Sequence, residues 1–268
     1  MVPGKSSFHA FLAALQNRLN LRFQVKPLSG NRCLLYLDSV PIRMIYYPCS
    51  SGPRVSIVGE GRCIHVDEDT WITRSDIVLS RIGTLMGQVS RIHARHTVAA
   101  RIEKRVVLSF QEEHHLQVAL PGKYRYGLYH DGELVAIAVF SGGRRMDGKP
   151  DGYRSYELLR FCHKQSVHVV GGFSKLIACL RRDFNPGNIM TYADKDWSDG
   201  SSYLKMGFQI VGETGPQLFW VHRCRMQRYY ERTLPPAIRE KSVQERAEAG
   251  FVACYNSGSI KLVKECSV

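Results

Sequence analysis

Apolar residues recur at helical spacing in the first segment of the chain and at shorter, strand-like spacing further on. Phe8, Phe11, Leu12, Leu15 and Leu19 fit one face of a helix. The elements predicted before residue 90 are helices from Phe8 to Leu19 and from Ser75 to Gly87, and strands from Arg32 to Leu37, Pro41 to Tyr46 and Arg62 to Val66. This pattern predicts a small α/β module, joined to the rest by a basic linker from Arg91 to Arg105.

The second half of the chain contains a clear β-hairpin signal. Asp131 and Gly132 separate two strand-like runs within Tyr124 to Phe140, and Asp-Gly favours the two-residue hairpin turn. The other elements predicted there are helices from Val106 to Leu116, Ser174 to Phe184 and Ser201 to Met206, strands from Ser155 to Cys162, Asn188 to Ala193, Phe208 to Gly212 and Gln217 to Val221, and a closing hairpin within Phe251 to Val263. A strand–helix–strand crossover beside an antiparallel meander predicts an α+β fold with a mixed sheet.

The balance of charge points to a partner. Lys and Arg number 37 against 24 Asp and Glu, which gives a formal net charge of +13. Such an excess favours a polyanion, so we expect a nucleic acid as partner, with a basic protein that has no such partner as the alternative. The expected contact residues are Arg144, Arg145 and Lys149 in a mobile Gly-rich loop, and Arg223 and Arg225 beside aromatic residues. A solvated loop and a plain strand edge are the respective alternatives.

The cysteines and the apolar segments indicate the compartment. None of the 8 cysteines forms a C-x-x-C pair, which argues against a zinc ribbon and fits reduced, buried thiols. No apolar run has the length of a membrane span. We therefore expect a cytoplasmic protein.

Two segments carry candidate chemistry. Glycines between a strand and a helix, in Val170, Gly171, Gly172, Phe173, Ser174 and Lys175, let backbone N–H groups approach a phosphate at the helix N-terminus. The phenol of Tyr203, in a short helix that ends at Gly207, could protonate a departing thiolate. An ordinary tight turn and a core tyrosine are the respective alternatives.

Together these segments resemble the GNAT superfamily of N-acetyltransferases, over roughly Ile102 to Val221. The resemblance implies that the Gly-loop, from Val170 to Lys175, binds the pyrophosphate of acetyl-CoA or another acyl-CoA after the fourth strand. It also implies that Tyr203 is the general acid. The glycine spacing departs from the family's usual Gln/Arg-x-x-Gly-x-Gly/Ala pattern.

A closer resemblance is to phage-type GNAT-like domains, including those fused to homing-endonuclease-like proteins and the Mom-like DNA-modification proteins. It is carried by the segments Glu112 to Gln117, Tyr126 to Tyr129, Asp131 to Val135, Tyr156 to Phe161 and Tyr192 to Asp194, with Trp197, Ser198 and Gly200. The resemblance implies a catalytic site of His115 (or His114) as base, Asp194 as orienting group and Tyr203 as acid. It also implies a bacterial or phage-infected host cell. Solvent-facing helix residues are the alternative for the two histidines.

The N-terminal module resembles the last part of a Vsr-like, PD-(D/E)xK nuclease domain, through the segment Cys63 to Trp71. Asp38 could be the first carboxylate of such a site, but the next strand supplies Arg43 and no carboxylate. We interpret the module as a degenerate, non-cleaving nuclease fold. The acidic run from Asp67 to Asp69 is either a metal cluster or, as we expect, a solvated acidic turn.

The expected organisation is a degenerate nuclease-like module over residues 1–90 and a GNAT-like domain over residues 91–268. The expected function is that of a phage or mobile-element acyltransferase that modifies a nucleic-acid base or amine. Two alternatives stay open: a non-catalytic DNA-binding protein derived from such a domain, and a protein lysine acetyltransferase.

Overall fold

The computed structural model of the chain describes residues 3–49, 51–57 and 61–266. The chain folds into two compact units. Unit 1 comprises Met1–Leu79, Asp194–Asp199 and Glu213–Ser259, and unit 2 comprises Ser80–Ala193, Gly200–Gly212 and Ile260–Val268. The structure thus divides the chain differently from the contiguous prediction of 1–90 and 91–268, because two later segments belong to the N-terminal unit.

Eight α-helices and sixteen strands are formed by the described residues. The helices are α1 (Pro3–Leu19), α2 (Glu68–Thr73), α3 (Ser75–Leu85), α4 (Lys104–His114), α5 (Gly172–Phe184), α6 (Ser201–Leu204), α7 (Pro236–Arg239) and α8 (Val243–Glu248), with 3₁₀ turns at Ala94–His96 and Glu231–Thr233. The strands are β1 (Gln24–Pro27), β2 (Cys33–Leu37), β3 (Val40–Tyr47), β4 (Arg62–Asp67), β5 (Ser90–His93), β6 (Val98–Arg101), β7 (Tyr124–His130), β8 (Glu133–Phe140), β9 (Ser155–His163), β10 (Val167–Val170), β11 (Asn188–Asp194), β12 (Gln209–Glu213), β13 (Leu218–His222), β14 (Gln227–Tyr229), β15 (Phe251–Tyr255) and β16 (Ser259–Glu265).

Unit 1 contains a four-stranded sheet in the order β1-β2-β3-β4 and a three-stranded sheet in the order β14-β13-β15. Strand β3 is antiparallel to β2 and parallel to β4. Its side chains alternate between two covered faces: Ile45 and Tyr47 join one apolar cluster, whereas Tyr46 stacks on Phe11 of α1 with ring centroids 5.2 Å apart. Cover on both faces explains why β3 ends in an almost continuous apolar run.

Unit 2 is built on a mixed seven-stranded sheet in the order β12-β16-β11-β9-β8-β7-β6. The predicted hairpin is confirmed as β7 and β8, and both turn residues, Asp131 and Gly132, have the positive φ angles that this turn requires. Strand β11 returns parallel to β9 after the crossover through α5. The mixed sheet expected from the order of elements is therefore present.

The core of unit 2 lies on both faces of this sheet. Ala138 of β8 belongs to the same buried cluster as Leu176 of α5. Its neighbour Ile137 points the other way, into a cluster with Phe110 of α4. Since successive side chains of a strand alternate, the continuous apolar sequence of β8 serves both helices.

The C-terminal hairpin prediction is wrong. Strand β15 pairs antiparallel with β13, whereas β16 lies between β12 and β11 in the seven-stranded sheet. Leu218–His222 is therefore not a closing strand of that sheet. Strands β15 and β16 thus pair with different strands and not with each other. Strand β16 joins the seven-stranded sheet because Ile260 and Leu262 are then buried in the core of unit 2.

The basic stretch from Arg91 to Arg105 is not a linker. It contains β5, the first 3₁₀ turn, β6 and the start of α4. Strand β5 pairs in parallel with β10, from Ser90 beside Val167 to His93 beside Val170. A four-residue strand with a partner more than 70 residues away has almost no local signal, which explains why periodicity did not reveal it.

None of the eight cysteines, which all lie among the described residues, forms a disulfide bond. Seven are buried or half-buried as expected, but Cys224 is exposed. In the part of the chain that the structure describes, no helix has the length and apolar character to cross a membrane.

Candidate functional site

The parallel strands β9 and β11 are paired over only part of their length. The register runs from Ser155 beside Asn188 to Leu158 beside Thr191 and then ends, although β9 continues to His163. Parallel strands that separate expose unpaired backbone groups between them, and such an opening in an open α/β sheet is a favoured place for a ligand.

Tyr203 lies at the point where these two strands separate. The side chain of Thr191 acts on its hydroxyl to lower the pKa of Tyr203, and the Thr191 hydroxyl donates to the carbonyl oxygen of Leu158 at 3.0 Å. Tyr203 and Leu158 therefore both lie beside Thr191, the last residue of β11 that pairs with β9.

The surroundings of Tyr203 keep its phenol protonated. Burial raises the pKa of Tyr203, and the positive charge of Arg81 opposes this only in part. The ring packs edge-on against Phe173 and Phe208, each with a centroid distance of 5.6 Å. A neutral, positioned phenol is suited to donate a proton and not to accept one.

The Gly-loop adjoins this tyrosine through Phe173. Gly171 is the N-cap of α5 in the left-handed conformation, with φ of 77°, and no side chain caps the helix. A Cβ at Gly172 would lie 2.9 Å from Cβ of Val169 and 3.1 Å from Leu128 Cδ1, so this position admits only glycine. The uncapped backbone N–H groups at this helix start and the exposed Ser174 are free of side-chain caps, and their binding of a phosphate stays a prediction.

Lys175 has a different task from the one predicted. Its ammonium group donates to the carbonyl oxygen of Ala94 at 2.9 Å and to the carbonyl of Thr97. It thereby fixes the turn after β5, and its hydrogen bonds are directed at the protein's own backbone. Val170 is 37% exposed and pairs with His93.

The two candidate histidines at the end of α4 differ in their surroundings. His115 is the C-cap residue, and its Nδ1 accepts from the backbone N–H of Gln117 at 3.1 Å. The His114 side chain is only 6% exposed and lies edge-on to Phe110 at 4.4 Å. Burial lowers the pKa of His114. The solvent-facing alternative is therefore wrong for His114, and the role of His115 as a base stays a prediction.

Asp194 is a turn-forming residue. Its Oδ1 accepts from the backbone N–H of Asp196 at 2.9 Å, and its carbonyl accepts from the N–H groups of Trp197 and Ser198. Asp194 belongs to unit 1, whereas His115 and Tyr203 belong to unit 2. The predicted convergence of these three residues stays a prediction.

His163 was not singled out by the sequence, yet it is the most perturbed histidine of unit 2. Burial first, and then the neighbouring His168, lower its pKa to about 4. Its ring is hydrogen-bonded to the backbone of Val169, and its buried Nε2 has no partner among the described residues. A lone histidine at a strand end has no sequence signature of burial.

Unit 2 should lose stability in mild acid because of His163. A histidine whose folded pKa lies below its unfolded value excludes a proton on folding, so its contribution is full above pH 6.5 and is lost as the pH falls towards 4. The expected loss between about pH 7.5 and pH 5 is about 2 kcal/mol. Urea denaturation at several pH values would measure it. His163→Phe should flatten the dependence, whereas an equally steep curve in that variant, or a flattening by exposed His93→Gln, would contradict the assignment.

The predicted nucleic-acid contact residues are exposed. Arg144, Arg145 and Lys149 lie in the loop between β8 and β9, which is anchored by paired backbone hydrogen bonds between Arg144 and Ser155 at 2.9 Å. In unit 1, Arg223 and Arg225 are exposed in the turn between β13 and β14. Their contact with nucleic acid stays a prediction.

The acidic run of unit 1 is not a solvated turn. Glu68 and Asp69 are each only 3% exposed, and Asp67 forms a bidentate pair with Arg54, at 2.7 and 3.0 Å. Arg228 bridges Asp67 and Asp69, so it is also unavailable to a phosphate. Asp67 and Asp69 are neutralised by arginines, whereas Glu68 Oε2 accepts from the backbone N–H of Cys49 at 2.8 Å. No group of three or more side chains that could hold a metal ion occurs among the described residues.

A serine, a histidine and an aspartate also meet in unit 1. Ser257 Oγ donates to Asp196 Oδ1 at 2.6 Å, and His65 Nδ1 lies 3.0 Å from the same oxygen and 3.1 Å from Ser257 Oγ. A nucleophilic triad requires the serine and the aspartate on opposite nitrogens of the imidazole. Here both face Nδ1, so the cluster is structural.

Comparisons with known proteins find acetyltransferases of low similarity. The ribosomal-protein-S18-alanine N-acetyltransferase from Escherichia coli is 10% identical, with 64% of this chain and 95% of that chain covered, at a TM-score of 0.37. The IAA acetyltransferase from Bacillus cereus is 13% identical, with 63% and 99% covered, at a TM-score of 0.34. A Corynebacterium glutamicum protein described as histone acetyltransferase HPA2 and related acetyltransferase is 12% identical, with 54% of this chain and 65% of that chain covered, at a TM-score of 0.30.

These similarities are too weak to assign an activity. No protein-family model matches the sequence, and no curated protein matches it significantly. Any functional assignment therefore depends on the geometry of the described residues.

Proposed function

We propose that unit 2 is an acyltransferase that moves an acyl group from an acyl-CoA to an amine, and that the amine belongs to a nucleic acid. The observation that carries this proposal is the position of Tyr203, whose protonated hydroxyl lies where β9 and β11 separate, one aromatic ring away from the Gly-loop. The strand order partly agrees with the family that the sequence resembles. Strand β9 is the fourth strand of the seven-stranded sheet in chain order, and the Gly-loop begins at the end of the short strand β10 that comes after it.

The residues present fit the phosphates of a coenzyme A at the start of α5. The uncapped N–H groups there, the left-handed Gly171 and the close-packed Gly172 form a site that side chains do not fill. A bound acyl-CoA would supply the acyl group and a thiolate as leaving group. Lys175 would contribute indirectly, because it fixes the neighbouring turn.

Tyr203 would complete the transfer. The amine nitrogen would bond to the carbonyl carbon, the carbon–sulfur bond would break, and the phenolic proton of Tyr203, kept on the oxygen by burial, would pass to the leaving sulfur. The proton that the amine loses requires a base, for which His115 is the predicted residue. Phe173 and Phe208, packed against the phenol, exclude water from it.

Calorimetric titration of acetyl-CoA tests the coenzyme site. Wild-type protein should bind, whereas Gly171→Glu should not, because a carboxylate and a strained backbone would replace the anion-favouring N-cap. Gly148→Glu is the matched control, since Gly148 also has a positive φ, of 73°, but nothing within 4 Å of its Cβ position. Lack of binding by the wild type would contradict the proposal.

One observation favours a second candidate, a nucleic-acid-binding protein without catalysis. The edge of β10 is paired with β5, and Lys175 is engaged by the turn that follows β5. Strand β5 and the turn after it therefore lie beside the Gly-loop, where they leave less room for a coenzyme. Mass spectrometry of nucleosides from DNA treated with protein and acetyl-CoA separates the two candidates, because only the acyltransferase produces an acylated base.

A further inference from the structure

A segment of unit 2 is rich in basic residues and free of carboxylates. Between Asp76 and Glu103 the sequence contains four arginines, Arg81, Arg91, Arg95 and Arg101, and no Asp or Glu. The middle of this segment is β5 with its 3₁₀ turn. Arg101 forms an ion pair with Asp183 at 2.9 Å, so the local excess of positive charge centres on Arg91 and Arg95.

Alternation directs the basic side chains of this segment to one side. Ile92 and Ala94 pack against the main apolar cluster of unit 2. The residues before, between and after them are exposed. These are Arg91, His93, Arg95 and His96, which we call the basic ribbon. Because side chains alternate along a strand, burial of Ile92 turns Arg91 and His93 to the solvent.

The backbone of the basic ribbon is fixed by strand pairing and by side-chain hydrogen bonds. Four consecutive residue pairs join β5 to β10. The turn that follows is fixed by Lys175 Nζ and by the hydroxyl of Thr97, both of which donate to the carbonyl oxygen of Ala94, at 2.9 and 2.7 Å. A charged surface that is rigid before binding loses less entropy when a partner docks.

The charges of the basic ribbon are not neutralised within the described residues. No described carboxylate forms an ion pair with Arg91 or Arg95, and the Arg95 Nε–H donates to the neighbouring His96 Nε2 at 3.1 Å. The effect of Arg91 is felt across the strand pair, because its positive charge helps to lower the pKa of His168, after burial.

We infer that the basic ribbon contacts the sugar-phosphate backbone of a nucleic acid. This inference rests on the nucleic-acid partner of the proposed function and not on acyl transfer. The twelve residues from Ser90 to Arg101 contain no Phe, Tyr or Trp on which a base could stack. The ribbon therefore makes phosphate contacts that position a duplex without reading its sequence.

Fluorescence anisotropy with a dye-labelled DNA duplex of mixed sequence, over a series of KCl concentrations, tests the inference. Removal of two phosphate contacts in Arg91→Ala/Arg95→Ala should make the log–log salt slope shallower by about 1.8 and weaken binding at least about tenfold at 0.1 M salt. Arg91→Lys/Arg95→Lys, which keeps both charges, should stay within a few-fold of the wild type.

The matched control removes the same charge elsewhere. Arg22→Ala/Lys26→Ala deletes two exposed cations of unit 1, and it should leave the salt slope nearly unchanged. Equal losses in the two double variants would overturn the inference, since binding would then follow net charge alone. Displacement of the duplex by polyglutamate at the same charge concentration would overturn it in favour of an acidic polypeptide. Acetyl-CoA titration of Arg91→Ala/Arg95→Ala reports separately on the acyltransferase proposal.

Discussion

Replacement of Arg54 by alanine is expected to lower the free energy of unfolding of unit 1 by about 3–5 kcal/mol. The Arg54 side chain is 8% exposed and lies between two carboxylates, Asp67 at 2.7 Å and Asp196 at 2.8 Å, that are themselves 13% and 6% exposed. Its guanidinium also stacks 4.1 Å from the ring centre of Tyr47. Truncation removes one direct ion pair from each of two largely buried carboxylates, although Asp67 keeps Arg228 and Asp196 keeps His65. Urea denaturation followed by tryptophan fluorescence would measure the loss.

Two comparisons sharpen this prediction. Exposed Arg22→Ala should change stability by less than about 0.5 kcal/mol. The defect of Arg54→Ala should also shrink as the pH falls below about 4, since protonation removes the stranded charges. The sign follows from Asp196: His65 and Arg54 keep its pKa low against the effect of burial, so its contribution exists above the unfolded pKa and is lost in acid. A defect in Arg54→Ala no larger than that of Arg22→Ala would show that the network is not stabilising.

Tyr203→Phe is expected to reduce turnover about 100-fold or more, with little change in KM, because the variant keeps the ring and loses only the proton donor. The phenyl ring would still pack against Phe173 and Phe208. The measurement is thiol release from acetyl-CoA with duplex DNA as acceptor, followed with a thiol-reactive dye.

The control for the Tyr203 variant is the same substitution at Tyr192 in β11. Tyr192→Phe removes the hydroxyl of a residue that is 42% exposed, and it should leave turnover unchanged. Thr191→Val removes the side-chain hydroxyl beside the phenol and should lower turnover less than Tyr203→Phe does, since the proton donor remains. Turnover of Tyr203→Phe within about threefold of the wild type would remove the general acid from the mechanism.

Elements with strong local signals could be predicted from the sequence. The hairpin of β7 and β8 follows from Asp131-Gly132 between apolar runs, and α5 follows from Gly171-Gly172 and the apolar face that begins at Leu176. In these cases the turn chemistry and the periodicity act within about ten residues. The same local signals singled out the Gly-loop and Tyr203 as candidates in the sequence, and their functional roles stay predictions.

Only part of the candidate site could be predicted from the sequence. Thr191 carries no sequence signal, although its side chain lies beside the phenol of Tyr203 where β9 and β11 separate. Lys175 was predicted to face a phosphate, but it braces the turn at Ala94 and Thr97. The direction of one long side chain depends on which backbone carbonyls the fold brings near it, and spacing along the chain does not contain that information.

The sequence by itself determined the hairpin of β7 and β8, the places of α4, α5, β9 and β11 in unit 2, and the excess of positive charge. Only the tertiary structure decided that β5 pairs with β10, that β16 enters the seven-stranded sheet while β15 pairs with β13, and that Arg54 pairs with Asp67 and Arg228 with Asp67 and Asp69. The physical reason is sequence separation. Turn and helix preferences act between near neighbours, whereas the pairing of β5 with β10 joins residues more than 70 positions apart and the ion pair of Arg228 with Asp67 joins residues 161 positions apart. Such contacts are fixed by burial of the whole core.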